Sequence, residues 1–285
     1  MKKILILLLL FVSTACQKKE KKNPADVLVN IPPYAYFVQR IAGDTLHIET
    51  LIPQDACPHL YEPTPKQIES AGQTQIWFRL GEPQEKKILT ILKEKNPTLI
   101  DIDLCYGISL ISTRDDSCCV DKAHTHEGKD RHVWLSPKLA RYQIKKIAKT
   151  LIERYPHYTE RYLQNTAALI EELDLLNESL QLKLKPFKNQ AILVSHPAFA
   201  YFCRDYKLLQ LSVECDGKDP KPQDVAKTIQ LAKRHHVRSV FIQMQYNNKG
   251  AELIAHDLGL PTHLVDPYAG DYLNNLLHIS TLIAQ

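Results

Sequence analysis

The sequence predicts an α/β protein of two lobes, each a mainly parallel sheet flanked by helices, with one long rigid helix joining them. From Val27 onwards, short apolar runs typical of buried strands alternate with segments whose apolar residues recur at helical spacing. This order is typical of parallel sheets covered by helices. Between Tyr158 and Leu184 the alternation gives way to a stretch without Pro or Gly, which predicts a single helix long enough to cross a domain.

The N-terminal lobe is predicted to comprise residues 26–155. Thr64 is a typical helix-capping residue, Pro65 suits the first turn of the helix after it, and Gly43 is a typical helix stop. Residues 104–131 lack sustained periodicity, so they are predicted to form a long surface loop. The predicted strands of this lobe are VLVNI, LHIETLIP, QIWFRL and TLIDID.

The connecting helix is predicted to comprise residues 156–186, with a length of roughly 40 Å at the usual rise per residue. Its predicted apolar stripe consists of Leu163, Ala167, Ile170, Leu173, Leu176 and Leu180. Residues 187–285 return to the strand and helix alternation and are predicted to form the C-terminal lobe. The predicted strands there are AILVSHP, LLQLSVE, SVFIQMQ and THLVDP, and a helical segment follows each of them.

The N-terminus resembles a bacterial lipoprotein export signal. Residues 1–15 contain two lysines, about nine apolar residues and then small residues before Cys16, a layout too short to cross a bilayer as a stable helix. Processing at this point would leave Cys16 lipid-modified and residues 16–25 as a charged, flexible tether. An ordinary signal peptide with a chance cysteine remains the alternative. The protein is therefore expected in the periplasm or at the cell surface, anchored to a membrane through Cys16.

Composition argues against several classes of protein. The chain has 36 Lys+Arg against 32 Asp+Glu, and removal of residues 1–15 would lower its net charge from +4 to about +2. There is no basic stripe with interleaved aromatic residues, so nucleic acid is not an expected partner. No later apolar run approaches the length of a membrane span. The sequence leaves open how the remaining six cysteines pair: Cys57, Cys105, Cys118, Cys119, Cys203 and Cys215.

Four candidate functional residues lie at the ends of predicted strands or in loops after them: His59, His132, His196 and Asp266. Open α/β sheets place their ligands at this edge. Spacing alone does not distinguish them from structural histidines or a helix-capping aspartate.

The segments around these residues resemble signature segments of the solute-binding proteins of zinc and manganese ABC importers, a group that includes adhesin-like lipoproteins. They are CPHLYEPTPKQ, DRHVWLSP, ILVSHPAFAYF and HLVDPYAGDYL, in this order along the chain. The resemblance implies two α/β lobes joined by a rigid helix, with one metal held in the cleft by ligands from both lobes. Its implied ligands are His59 and His132 from the first lobe, and His196 and Asp266 from the second. The rigid helix leads us to expect only a small movement of the lobes.

Zn²⁺ is the expected metal, because three imidazoles and one carboxylate make a good tetrahedral set for it. Manganese-type members of the family resemble this chain except for a glutamate at the position of His196, so the imidazole there favours Zn²⁺. Mn²⁺ and Fe²⁺ remain alternatives, since availability also decides which metal a site holds.

His124 and His126 resemble a much reduced form of the histidine-rich loop found in zinc-type members. They are interpreted either as a weak, exposed accessory metal site or as part of a solvated polar loop. The nearby carboxylates that would contribute to such a site are Asp121, Glu127 and Asp130.

The chain departs from the family pattern at several positions. Arg131 stands where members often have proline, which is expected to alter a turn and not the ligand beside it. Lys207 replaces a usual glycine. Gln243 stands where glutamate is common, which puts a contact behind the ligands in doubt. Cys57 precedes His59 by two residues and is interpreted as half of a disulfide, a buried thiol or an extra soft ligand.

The resemblance implies a monomeric receptor and not an enzyme: it would capture a divalent metal and deliver it to a membrane permease with an ATPase subunit. Binding needs neutral imidazoles, so affinity is expected to fall steeply below about pH 6. One alternative is a secreted zinc hydrolase, which would need an open coordination position and a base such as Glu62. Another is a surface adhesin or interaction lipoprotein whose metal is structural.

Overall fold

The computed structural model describes residues 25–112, 128–214 and 221–285. Within these ranges the chain forms two four-stranded parallel sheets flanked by helices and joined by a long helix, which confirms the predicted fold class. No helix in these ranges is both long enough and apolar enough to cross a membrane. The positions that lie outside the described residues include the predicted signal peptide, Cys16, Asp121, His124, His126 and Glu127.

The first sheet has the strand order β2-β1-β3-β4, and all its pairings are parallel. The carboxyl ends of the four strands therefore meet at one edge. The strands are β1 (Val27–Val29), β2 (Ile48–Thr50), β3 (Ile76–Arg79) and β4 (Ile100–Asp103). The helices of this half are α1 (Pro32–Ala42), α2 (Pro65–Ala71), α3 (Glu85–Lys95) and α4 (Pro137–Arg154).

The predicted ends of two helices are confirmed. Thr64 caps α2 by accepting a hydrogen bond from the backbone N–H of Gln67, and the Gln67 side chain accepts one from the backbone N–H of Thr64. This reciprocal pair satisfies two donors that a helix start leaves without partners. Gly43 follows α1 with a φ of 64°, a conformation that favours glycine.

The connecting helix α5 (Thr159–Leu184) has 26 residues, with one 3₁₀ turn before it and another after it. The apolar stripe of the sequence is buried from Leu173 onwards and Ile170 packs against the core, whereas Leu163 is 55% exposed. The first half turns Tyr162 and Thr166 to the core instead. Both hydroxyls are satisfied there: that of Tyr162 lies 2.6 Å from the Thr45 hydroxyl, and that of Thr166 donates to the Tyr162 carbonyl. These side chains can therefore bury their apolar atoms at little cost.

The second sheet has the order β6-β5-β7-β8, again with parallel pairings throughout. Its strands are β5 (Ala191–Val194), β6 (Leu209–Ser212), β7 (Val240–Gln243) and β8 (Thr262–Val265). The helices of this half are α6 (Ala200–Tyr206), α7 (Pro222–Arg234), α8 (Lys249–Leu258) and α9 (Tyr272–Ile283).

One hydrophobic core runs through both halves of the molecule. It joins the first sheet, α5, α6 and α9, while a smaller core lies between the second sheet and helices α7 and α8. Across the halves, the Phe37 ring lies 4.8 Å from that of Tyr272, and the Trp134 indole N–H donates to the Pro267 carbonyl at 2.8 Å. The shared core gives a physical reason for expecting small lobe movements. The boundaries between the lobes stay a prediction.

Lys207 ends α6 with a φ of 60°, in the left-handed region that disfavours side chains. Its carbonyl accepts a hydrogen bond from the Asn189 N–H at 2.7 Å, so the conformation is fixed by the fold. Lys207→Gly should raise the free energy of unfolding by about 0.5–1 kcal/mol, measured by urea titration. Lys207→Ala removes the same side chain but keeps the Cβ, and it should give no such gain. Equal effects of the two variants would contradict the prediction.

Candidate metal centre

Three of the four sequence-predicted site residues come together where strands end. His59 lies in the loop of residues 51–64 between β2 and α2, and His196 lies two residues after β5. His132 directly precedes a 3₁₀ turn that leads into α4. One ring nitrogen from each histidine lies within 4.8 Å of the others. Among the described residues, this is the one group of three or more histidine, cysteine or carboxylate ligands that is so close.

The three rings form a compact triangle, with centroids 5.1–5.5 Å apart. The side chains of His132 and His196 are 7% and 6% exposed, whereas that of His59 is 30% exposed. The site is therefore closed on two sides and reached by solvent on the side of His59.

The ring nitrogens of this triangle are poorly satisfied. Nε2 of His59 and both ring nitrogens of His196 are buried and form no hydrogen bond within the described part of the chain. Burial, with the neighbouring His132 ring, lowers the pKa of His59 to about 3, and burial lowers the pKa of His196 well below its ordinary value. Both imidazoles are therefore neutral near pH 7, which is the protonation state that binds metal.

A carboxylate stands behind each histidine. Asp130 Oδ1 lies 2.8 Å from Nδ1 of His132 and also accepts a hydrogen bond from its backbone N–H. Glu214 approaches Nδ1 of His196 to 3.3 Å without the alignment of a hydrogen bond, and Glu82 lies 4.0 Å from Nδ1 of His59. Such carboxylates orient imidazole ligands and raise their basicity.

The position of Asp130 corrects one interpretation from the sequence. The sequence groups Asp130 with His124 and His126 as part of an exposed accessory site. Asp130 is instead only 6% exposed and is hydrogen-bonded to His132, because the chain is already packed against the core at this point. The accessory site itself lies outside the described residues and stays a prediction.

Asp266 is not brought into the histidine group. Its oxygen Oδ2 accepts a hydrogen bond from the Gln54 side chain at 2.7 Å. Its oxygen Oδ1 accepts from the Gln245 side chain and from the backbone N–H of Tyr268, both at 2.8 Å. Asp266 as the fourth ligand therefore stays a prediction.

Two tyrosines at the site were missed by the sequence analysis. The Tyr246 ring stacks on that of His196 at 3.9 Å, and its hydroxyl lies 2.9 Å from that of Tyr268. The Tyr268 hydroxyl in turn lies 3.1 Å from Nε2 of His132. The available signal was their position just after β7 and β8, at the edge where the other site residues lie.

The departures from the family pattern also have structural explanations. Arg131 reaches the loop after β3, where it donates to the Leu80 carbonyl at 3.4 Å. Gln243 is fully buried and donates from its side-chain amide to the His196 carbonyl at 3.0 Å, so glutamine keeps a contact behind this histidine. Cys57 carries a free thiol whose pKa is raised by burial, and its sulfur is not part of the histidine group.

A triangle of three histidines, two of them almost fully buried, near the carboxyl ends of parallel sheets in two joined lobes fits a metal-binding protein of the solute-receptor class. The family model "ZnuA: Zinc-uptake complex component A periplasmic" matches residues 27–285, and the chain belongs to that family.

Individual relatives agree with this assignment. A "putative metal-binding protein" of Chlamydia trachomatis is 33% identical over 284 residues, covering 99% of each chain. A crystal structure of ZnuA is 34% identical with a TM-score of 0.84, covering 92% of this chain and 98% of that one. The structure of a laminin-binding adhesin from Streptococcus agalactiae is 21% identical with a TM-score of 0.79, covering 92% of this chain and 98% of that one, and shows the same fold.

Proposed function

We propose that this protein is the extracytoplasmic solute-binding component of an ABC importer. It captures a divalent transition metal between its lobes and delivers it to a membrane permease powered by an ATPase subunit. The observation that carries the proposal is the triangle of His59, His132 and His196, whose ring nitrogens lie within 4.8 Å of one another. Membership of the periplasmic zinc-uptake family supports the same role.

Zn²⁺ is the proposed cargo. Three imidazoles are nitrogen donors of the kind Zn²⁺ prefers, whereas Mn²⁺ is better suited by carboxylate, carbonyl and water oxygens. At a given site of nitrogen and oxygen ligands, divalent affinities also rise from Mn²⁺ and Fe²⁺ towards the later metals. The affinities for Mn²⁺ and Fe²⁺ are therefore the ones to compare with the affinity for Zn²⁺.

We propose a binding role and no catalytic one. Glu62, the base considered for a hydrolase, is exposed at the surface. The carboxylates that do lie close, Asp130, Glu82 and Glu214, stand on the Nδ1 side of the histidines, where they orient the rings. An adhesin role is supported by the shared fold alone.

The location of the protein follows from its family and its sequence. The family description is periplasmic. The residues around Cys16 have the layout of a lipoprotein processing site, so we propose anchoring through a lipid on Cys16. The mature receptor would act as a tethered monomer.

The test is metal content under competition. Residues 17–285, expressed without the lipid, are stripped of metal, incubated with equal concentrations of Zn²⁺, Mn²⁺ and Fe²⁺ under anaerobic conditions, dialysed and analysed for each metal. We expect about one zinc per chain and little of the other two. A predominance of manganese or iron would keep the receptor role and overturn the cargo. No retained metal would overturn the receptor role.

A further inference from the structure

Each oxygen of the Asp266 carboxylate accepts a hydrogen bond from a side-chain amide. Gln54 donates to Oδ2 at 2.7 Å, and Gln245 donates to Oδ1 at 2.8 Å. Gln245 uses the same side-chain nitrogen to donate to the Gln54 carbonyl at 2.8 Å. The Gln245 side chain is therefore bonded to the Gln54 backbone as well as to the carboxylate.

These glutamines come from opposite sides of the site. Gln54 lies on the loop of residues 51–64 that carries His59, and its side chain is exposed. Gln245 follows β7 and is 8% exposed. Their amide nitrogens donate hydrogen bonds and are not metal ligands, so they bind the carboxylate without competing for the ion.

Asp266 is nevertheless connected to the histidine triangle through Tyr268. Its Oδ1 accepts from the Tyr268 N–H, and the hydroxyl of Tyr268 lies 3.1 Å from Nε2 of His132. The segment from Asp266 to Tyr268 thus extends from the glutamines to the site, yet the carboxylate stays outside the group of mutually close ligands.

We propose that Gln54 and Gln245 form an amide clamp that withholds Asp266 from the metal and thereby sets metal selectivity. With the clamp closed, the protein supplies three imidazoles, and an exchangeable ligand takes the fourth position. With the clamp removed, Asp266 completes the site with a hard oxygen, which benefits Mn²⁺ more than Zn²⁺. The inference rests on the proposed metal-receptor function.

The first test is a double-mutant cycle on zinc affinity, measured by competition with a chelator of known affinity. Asp266→Asn should weaken binding by less than about threefold in the parent protein and by about tenfold or more in the Gln54→Ala/Gln245→Leu background. The ratio of Mn²⁺ to Zn²⁺ affinity should rise by about tenfold in that background, because a carboxylate has been gained.

The same cycle is repeated with Gln54→Ala as the only change to the glutamines. This position is exposed, so the variant is expected to fold, and the substitution frees Oδ2 of Asp266. Gln73→Ala is the matched control, because it removes an exposed glutamine side chain from another loop of the same lobe. This control should behave as the parent in both the affinity and the selectivity measurement.

The second test measures whether the fourth coordination position of the metal can exchange its ligand. Co²⁺ is substituted for the cargo, and its visible absorption is followed during titration with azide, a small anion that binds an exchangeable coordination position. Azide should change the spectrum of the parent and of Gln73→Ala. It should change the spectrum of the clamp-free variant much less, since Asp266 then occupies the position.

Each outcome has a distinct meaning. If Asp266→Asn weakens binding equally and strongly in both backgrounds, Asp266 is already a ligand and the clamp proposal is overturned while the receptor function stands. A small effect in both backgrounds also overturns the clamp, because Asp266 then cannot reach the ion. If the parent itself binds neither Zn²⁺ nor Co²⁺, the proposed function fails first.

Discussion

His196→Ala should lower zinc affinity by more than about a hundredfold, since replacing even the partners behind a metal ligand costs roughly ten- to a hundredfold. The imidazole is almost fully buried, and both its ring nitrogens lack hydrogen bonds within the described residues. The measurement is chelator competition at pH 7, with circular dichroism to establish that the variant is folded.

A control for this prediction is available in the same lobe. His256 has a side chain that is 87% exposed and lies on α8, so His256→Ala should bind zinc as the parent does. His59→Ala should resemble His196→Ala, because the triangle needs all three imidazoles. Parent-like affinity in His196→Ala would remove the triangle as the cargo site.

Zinc affinity should fall less steeply between pH 7 and 5 than the sequence alone leads us to expect. The pKa of His59 is lowered to about 3, and that of His196 is also lowered well below its ordinary value. A lowered pKa means that protons do not compete with zinc for these two rings until the pH is far below 6.

The measurement is zinc affinity at several pH values, with the chelator's own protonation taken into account. Each competing proton lowers the logarithm of the affinity by about one per pH unit, so the slope between pH 7 and 5 should stay well below the value of about two that protonation of both His59 and His196 would give. The loss of zinc affinity should become steep only as the pH approaches the lowered pKa values of His59 and His196. A slope of two or more between pH 7 and 5 would mean that His59 and His196 are charged there and that solvent reaches them freely.

The fold could be predicted because it depends on local patterns, whereas the choice of the three histidines depended on the family signature segments around them. Alternating apolar runs predict parallel strands, and parallel strands bring residues such as His59 and His196 to the same edge of their sheets. In the first half of α5 the buried face differs from the apolar stripe of the sequence, because Tyr162 and Thr166 bury their apolar atoms once their hydroxyls are hydrogen-bonded.

The arrangement around Asp266 could not have been predicted in the same way. Gln54 and Gln245 are separated by 191 positions, and neither belongs to a periodic pattern. An amide is also compatible with an exposed loop and with a buried contact, so residue type gives no signal. The carboxylate partner of His132 was likewise hidden, because Asp130 lies at the end of a polar loop and becomes buried only through tertiary packing.

The shared core has a consequence for the kinetics of ion release. Since one core joins the first sheet, α5 and α9, opening the site by swinging two lobes apart would expose apolar surface at a high cost in free energy. The loop of residues 51–64 is the less costly way out, because its histidine is the most exposed of the three. We expect the residence time of the ion to depend on how often this loop lifts, so a partner that displaces the loop would shorten it without unfolding either lobe.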